Sequence, residues 1–288
     1  MTTEHDNPYE PTTGAATPAR PATPLVTARP VLTADQPPSP LELPMLTRRA
    51  AALDLGLVVL VALLLPGAFN LVTVLLVRFT TGQDLRDVPL PHGELLTIDK
   101  WFDWALAAGL MAYFLLARRL PGAAFGLRRD QPLLQAVWAL GTIAAIYLWL
   151  MCTVVLIYAI LLLYPDALND VLERTRMIEL LPIHDWRRAS LLLIPVAAHE
   201  EILFRGLLLP YLRRLTGHWW SAVLISSLVF AALHIDQGLA GVFQVLGVSV
   251  VLALAFILTR SLCVVTIAHF AFNFLQFQLM RVIFHVPG

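Results

Sequence analysis

The sequence predicts an all-α fold, a polytopic transmembrane helix bundle of about seven spans with a polar site inside its C-terminal half. Three observations carry that prediction. Of 288 residues, 58% are hydrophobic and only 14% charged, and the mean hydropathy of +0.73 is well outside the range of soluble globular domains. The apolar residues gather into runs long enough to cross about 30 Å of hydrocarbon at roughly 1.5 Å per helical residue. The apolar run from Ala189 to Leu209 nevertheless contains His199, Glu200, Glu201 and Arg205, a placement that lipid alone would not tolerate.

Taken in order, residues 1–46 form a first region that holds ten of the twenty prolines among many Thr and Ala. Such a composition cannot bury a core and suits a disordered or polyproline-like tail. It lacks the short apolar segment of a secretory signal. Residues 47–119 supply two spans. The first, Ala51 to Val77, follows Arg48 and Arg49 and contains a kink signal at Pro66-Gly67. The second, Trp101 to Ala117, is closed by Arg118 and Arg119, with Asp103 near its N-terminus where a carboxylate suits the helix dipole.

Residues 120–288 form the core. A third span, Leu134 to Tyr164, is followed by a polar stretch, 165–188, in which Leu168, Leu172, Ile178 and Leu181 recur near helical spacing, as in a helix lying in the interface. Span four, Ala189 to Tyr211, ends at Arg213 and Arg214. Span five, Trp219 to His234, opens on a boundary-type aromatic pair. Spans six and seven run from Leu239 to Thr259 and from Leu262 to Ile283.

Charge settles two further points. A formal net charge of zero with dispersed basic pairs gives no footprint for nucleic acid. Nine Arg on the side of the N-terminus face eight Arg and Lys on the other, but the nine are mostly tight pairs beside span ends in short loops. That arrangement favours a cytoplasmic N-terminus. Nineteen Arg against one Lys hint at a GC-rich bacterial genome, and so at a bacterial plasma membrane. Cys152 and Cys263 lie in apolar runs and are read as membrane-buried and unpaired; neither CxxC nor a Cys/His zinc spacing occurs.

The charges of span four set the functional question. Two Glu and one Arg at about 2.5 to 3.5 kcal/mol each outweigh eleven Leu, Ile, Val and Phe at roughly 0.3 to 0.6 each. The segment therefore faces polar partners. Glu201 and Arg205 are i, i+4 and can pair, which lowers the burial cost, while Glu200 points about 100° away and is left for chemistry. Span five ends in Phe230-Ala-Ala-Leu-His234 and span seven contains His269-Phe-Ala-Phe-Asn273, with His269 and Asn273 on one face. Glu200, His234, His269 and Asn273 can together hold one water, with or without a divalent metal ion such as zinc bound by His234, His269 and Asn273. A buried carboxylate can act as general base toward that water, and imidazole or amide groups can stabilise a developing oxyanion. Hydrolysis is the chemistry that uses such parts, and in the bilayer its substrate would be a membrane-embedded or lipid-anchored peptide. His199-Glu200 is not the zinc pattern H-E-x-x-H, because position 203 is Leu, and His199 reads as a packing or supporting group.

In order, Glu200-Glu201-x-x-x-Arg205, Phe230-x-x-x-His234 and His269-x-x-x-Asn273 resemble the motif set of the CAAX prenyl protease and bacteriocin-processing family of intramembrane proteases. Phe125-Gly-Leu-Arg128 extends the likeness toward residue 120, and the tail and first span lie outside it. The resemblance implies an endopeptidase in which Glu200 activates water, His234, His269 and Asn273 complete the site, and Glu201 and Arg205 support it. It leaves open whether the site is metal-dependent or of the glutamate type. Two other readings compete. A proton-coupled transporter would use the same groups as a relay, but its inverted-repeat symmetry is absent from the sequence. A non-proteolytic scaffold of the same fold, serving bacteriocin or peptide immunity, would need no intact motifs.

Overall fold

A computed structural model describes residues 41–43, 45–82, 93–128, 130–163 and 186–283, and among them all regular structure is helical. The tail up to residue 40 and the interfacial helix expected within 165–188 lie outside the described residues, apart from 186–188 at the start of a helix.

Helix α1 (Arg48–Val59) starts where Thr47 accepts a hydrogen bond from the Ala50 amide at 3.2 Å, and a π turn, Leu60–Leu64, joins it to α2 (Leu65–Thr81). Helix α3 (Gly93–Ala112) runs into a second π turn, Tyr113–Ala117. After a 3-10 turn, Gly122–Phe125, come α4 (Pro132–Leu163) and α5 (Trp186–Glu201). A third π turn, Ile202–Leu208, links α5 to α6 (Leu209–Thr216). Helices α7 (Trp219–Ala232), α8 (Gly238–Thr259) and α9 (Leu262–Ile283) complete the order.

Two of the three π turns have a proline signal. A proline has no N–H for the carbonyl four residues back. Pro66 and Pro210 each stand at the start of the α-helix that follows a π turn, and the turn closes instead through i to i+5 bonds, Leu65 N–H to Leu60 O and Leu209 N–H to Phe204 O. The kink expected at Pro66-Gly67 is thus a widened turn just before the proline.

Four helical stretches among the described residues are long and apolar enough to cross a membrane: Arg48–Ala68, Pro132–Ala159, Ile235–Thr259 and Leu262–Leu279. Trp219–Ala232 is apolar but shorter. The two remaining expected spans, within α3 and across α5 and α6, are helical but carry Lys100, Asp103, Glu200, Glu201 and Arg205. Those two pack on each other, and α5 also packs on α9, so their charged faces are shielded by protein rather than lipid. Apolar side chains on the outer helices point outward instead, among them Leu140, Leu148, Val155, Leu162 and Leu258. Cys152 and Cys263 are unpaired and exposed on such outer surfaces.

At the end carrying Arg118 and Arg213, polar ties fasten the bundle. Asp54 of α1, largely buried, accepts from Arg118 at 3.0 Å and from the Tyr211 hydroxyl at 3.3 Å. Leu41 and Leu43 are buried and Glu42 pairs with Arg213 at 2.9 Å, so packing begins ahead of α1. The segment Phe125 to Arg128 docks on the turn between α8 and α9: Gly126, at φ 73°, accepts from Leu262 N–H at 2.8 Å, and Arg128 donates to Thr259 O at 2.9 Å.

Helices α4 and α8 meet so closely at Gly247 that a Cβ there would fall inside the Trp149 ring, whose Nε1 donates to Gln244 O at 3.0 Å. Gly247→Ala is therefore expected to destabilise the protein by about 1 to 3 kcal/mol through overpacking. Thermal unfolding in detergent checks this, and adding Trp149→Leu should recover part of the loss.

Candidate active site

The site is assembled by α5, α7, α8 and α9 around one ion pair. Glu201, the last residue of α5, accepts from Arg205 Nη1 at 2.8 Å, and both side chains are fully buried. Arg205 lies in the π turn, so its guanidinium reaches sideways to α8, where Nη2 donates to Ser249 Oγ at 3.0 Å and Ser249 O at 3.1 Å. Its cation also stands 5.0 Å over the Phe230 ring of α7. A buried guanidinium needs several such partners, because each lost one would leave a charge in a low dielectric.

The same Glu201 Oε1 lies 2.7 Å from His269 Nδ1 of α9. A carboxylate accepts here, so Nδ1 carries the proton, and the neutral imidazole is left with its lone pair on Nε2. Nε2 faces Glu200 Oε2 at 3.6 Å. The two adjacent glutamates are thereby divided: Glu201 has 0% side-chain exposure and Glu200 has 19%. Only Glu200 can meet water or a substrate. Successive helical residues differ by about 100°, which is why neighbours in sequence occupy such different surroundings.

His234 ends α7. Its Nδ1 donates to the Phe230 carbonyl at 2.8 Å, leaving Nε2 as acceptor in the neutral ring. Phe230 is the aromatic floor between the groups, 4.7 Å from the His234 ring, 6.3 Å from His269 and 4.8 Å edge-on from Phe204. Asn273 lies one turn beyond His269 on α9, half-buried and with no hydrogen-bond partner among the described residues.

Direct contacts join Glu200, Glu201, Arg205 and His269, and His234 joins them through Phe230; among the described residues no hydrogen bond or ion pair ties Asn273 to the others. Ser249 and Phe230 escaped the sequence reading as members of the site. Ser249 had a signal in hindsight, being a lone hydroxyl in the middle of an apolar helix.

Both histidines hold the posture of metal ligands, with one ring nitrogen fixed by a carbonyl or carboxylate and the other free. Yet among the described residues no three His, Cys, Asp or Glu side chains are grouped to hold a metal ion, and one oxygen of Glu201 is already shared by Arg205 and His269.

Residues 183–275, about a third of the chain, match a family model described as Rce1-like, Type II CAAX prenyl endopeptidase. The matched segment contains every one of the site residues above, and it bears out the resemblance read from the three motifs. Within that segment the chain is similar to Type II CAAX endopeptidases, and its long apolar helices suit an integral membrane protein. No curated protein and no solved structure matches the chain.

Removing Arg205 alone strands the buried Glu201 charge. Arg205→Met is expected to destabilise the protein by about 3 to 5 kcal/mol, and Glu201→Gln with Arg205→Met to recover much of it, because no lone charge then stays buried. Denaturation in detergent measures both.

Proposed function

We propose that this chain, whose segment 183–275 is of the Type II CAAX endopeptidase family, is an intramembrane endopeptidase that hydrolyses a peptide bond of a membrane-embedded or lipid-anchored peptide. One observation carries the reading: the accessible Glu200 carboxylate stands beside a histidine whose other nitrogen is held by a sealed Glu201–Arg205 pair. A structural charge cluster would have no need to keep one carboxylate open and lock its neighbour away.

Each group then has a task set by its protonation and reach. Glu200 takes a proton from water, and the water oxygen attacks the peptide carbonyl carbon. His234 Nε2, an acceptor, holds the water's second hydrogen. The side-chain amide of Asn273, which has no other partner, donates to the oxyanion. As the C–N bond breaks, the proton held by Glu200 passes to the departing amine, giving one carboxylic acid and one amine from amide and water. Once Glu200 has taken the proton, its carboxyl O–H can turn toward the lone pair of His269 Nε2, and Glu201 keeps that ring in the tautomer that leaves Nε2 an acceptor. No step here is routed through a metal, although His234 and His269 each keep a nitrogen free for one.

The helix count of seven, the cytoplasmic N-terminus and a bacterial plasma membrane complete the proposal, supported by the apolar runs and the paired arginines of short loops. Peptide precursors such as bacteriocins, pheromones or membrane regulators fit a bacterial setting better than prenylated proteins.

Protein purified in detergent and given a fluorogenic lipid-anchored peptide should cleave it, and Glu200→Gln should lower kcat by about 10² to 10⁴-fold while the fold is retained. Cleavage by Glu200→Ala at the wild-type rate would overturn the assignment. A parallel sample with chelator, then zinc, decides whether a metal takes part.

A further inference from the structure

Hydrolysis inside a membrane needs a way for water to reach the carboxylate, and one group of charges outside the site already described lies on the helix packed against α5. On α3, Lys100 pairs with Asp99 at 3.0 Å and with Asp103 at 2.8 Å. Asp103 is buried, with 7% side-chain exposure, whereas Lys100 and Asp99 have 29% and 30%. Helix α3 packs along α5. Trp101 Nε1 donates to Leu191 O at 3.0 Å, and a Cβ on Gly206 would touch Met111 Cε at 2.9 Å. Two such contacts, ten residues apart on α3 and fifteen on the chain through α5, show the helices running in the same direction. A parallel pair with these two contacts sets Asp103 between the levels of Leu193 and Ala198.

His199 is accordingly within electrostatic range of Asp103, Lys100 and Asp99, as well as of Glu200 on its own helix. It projects about 100° from Glu200 on the side opposite Glu201. Glu200 is thus flanked by His269 from α9 on one side and by His199, with the α3 charges behind it, on the other. Asp99 and Lys100 are the open end of this group at 30% and 29% side-chain exposure, Asp103 is covered at 7%, and Glu200 keeps 19% while Glu201 is sealed. All of α3 lies outside the matched segment 183–275, so its charges are not among the motif residues.

We infer that Lys100, Asp103 and His199 form a hydrated polar seam between α3 and α5 that admits water to Glu200, with His199 as a positioning residue for that carboxylate. Lys100, Asp103 and His199, with Asp99 beside them, are four ionisable groups along one helix seam of an apolar bundle, costly in a dry setting and stable in a wet one. The ion pair of Lys100 with two carboxylates prevents the seam from carrying a large net charge that would hold the entering water or a departing product. The inference rests on Glu200 being the base, but its first test does not require proteolysis.

In chains whose Cys152 and Cys263 are replaced by Ala, single cysteines are placed at His199, within the seam, and at Ile194, exposed on the outer face of the same helix. In proteoliposomes, a charged methanethiosulfonate that does not cross lipid should modify His199→Cys at least about tenfold faster than Ile194→Cys, because only water-exposed thiols ionise readily. Equal, slow modification of both would overturn the seam. In the peptide assay, Asp103→Asn and His199→Gln should lower kcat by about tenfold or more with little change in KM, and added imidazole should restore part of the activity of His199→Gly. Wild-type kcat in Asp103→Asn and His199→Gln would remove His199 from its positioning role. A wild-type protein that cleaves nothing but labels as stated would fail as a protease and keep the seam.

Discussion

The arrangement depends on one buried ion pair whose charges are shared out over four helices. Glu201 and Arg205 could satisfy each other alone, as an i, i+4 pair on an exposed helix does, but a lone pair in hydrocarbon would be barely favourable. Instead Arg205 turns Nη2 to Ser249 and its face to Phe230, and Glu201 accepts from His269. The attraction therefore serves as a clamp: α5, α7, α8 and α9 cannot shift relative to one another without leaving a charge unpaired. The rigidity needed by a catalytic carboxylate follows from electrostatics, in a region where apolar packing alone gives little specificity between helices and lipid.

The clamp also explains how one helix carries two glutamates with opposite fates. A catalytic base must exchange a proton, and a supporting carboxylate must not. Placing them at adjacent positions turns a single helical step into the difference between a wet surface and a dry one. His269 connects the two, so a change in the sealed glutamate is felt at the open one through a single ring.

Much of this was legible in the chain. The all-helical class, the spans formed by α1, α4, α8 and α9, the pairing of Glu201 with Arg205 and the common face of His269 and Asn273 follow from hydropathy and the 3.6-residue period. Three things were hidden, each for a physical reason. Ser249 is one hydroxyl among apolar neighbours, and its importance arises only when Arg205 is placed against it. Glu201 was read as a partner of Arg205 alone, because a spacing within one helix says nothing about the second acceptor site that α9 uses. Lys100 and Asp103 resemble the polar edge of a span, and only the packing of α3 on α5 brings them within electrostatic range of His199.

The π turn between Glu201 and Leu209 has a consequence for how the protein can change over evolutionary time. An extra residue absorbed in a widened turn separates the azimuth of the helix above it from that of the helix below. The upper half sets where the glutamates aim, and the lower half, through Tyr211 and Asp54, sets how the bundle is moored at its far end. Because the turn is a swivel between them, mutations that repack the mooring need not rotate the reactive carboxylate, and the two ends of one helix can drift in sequence independently.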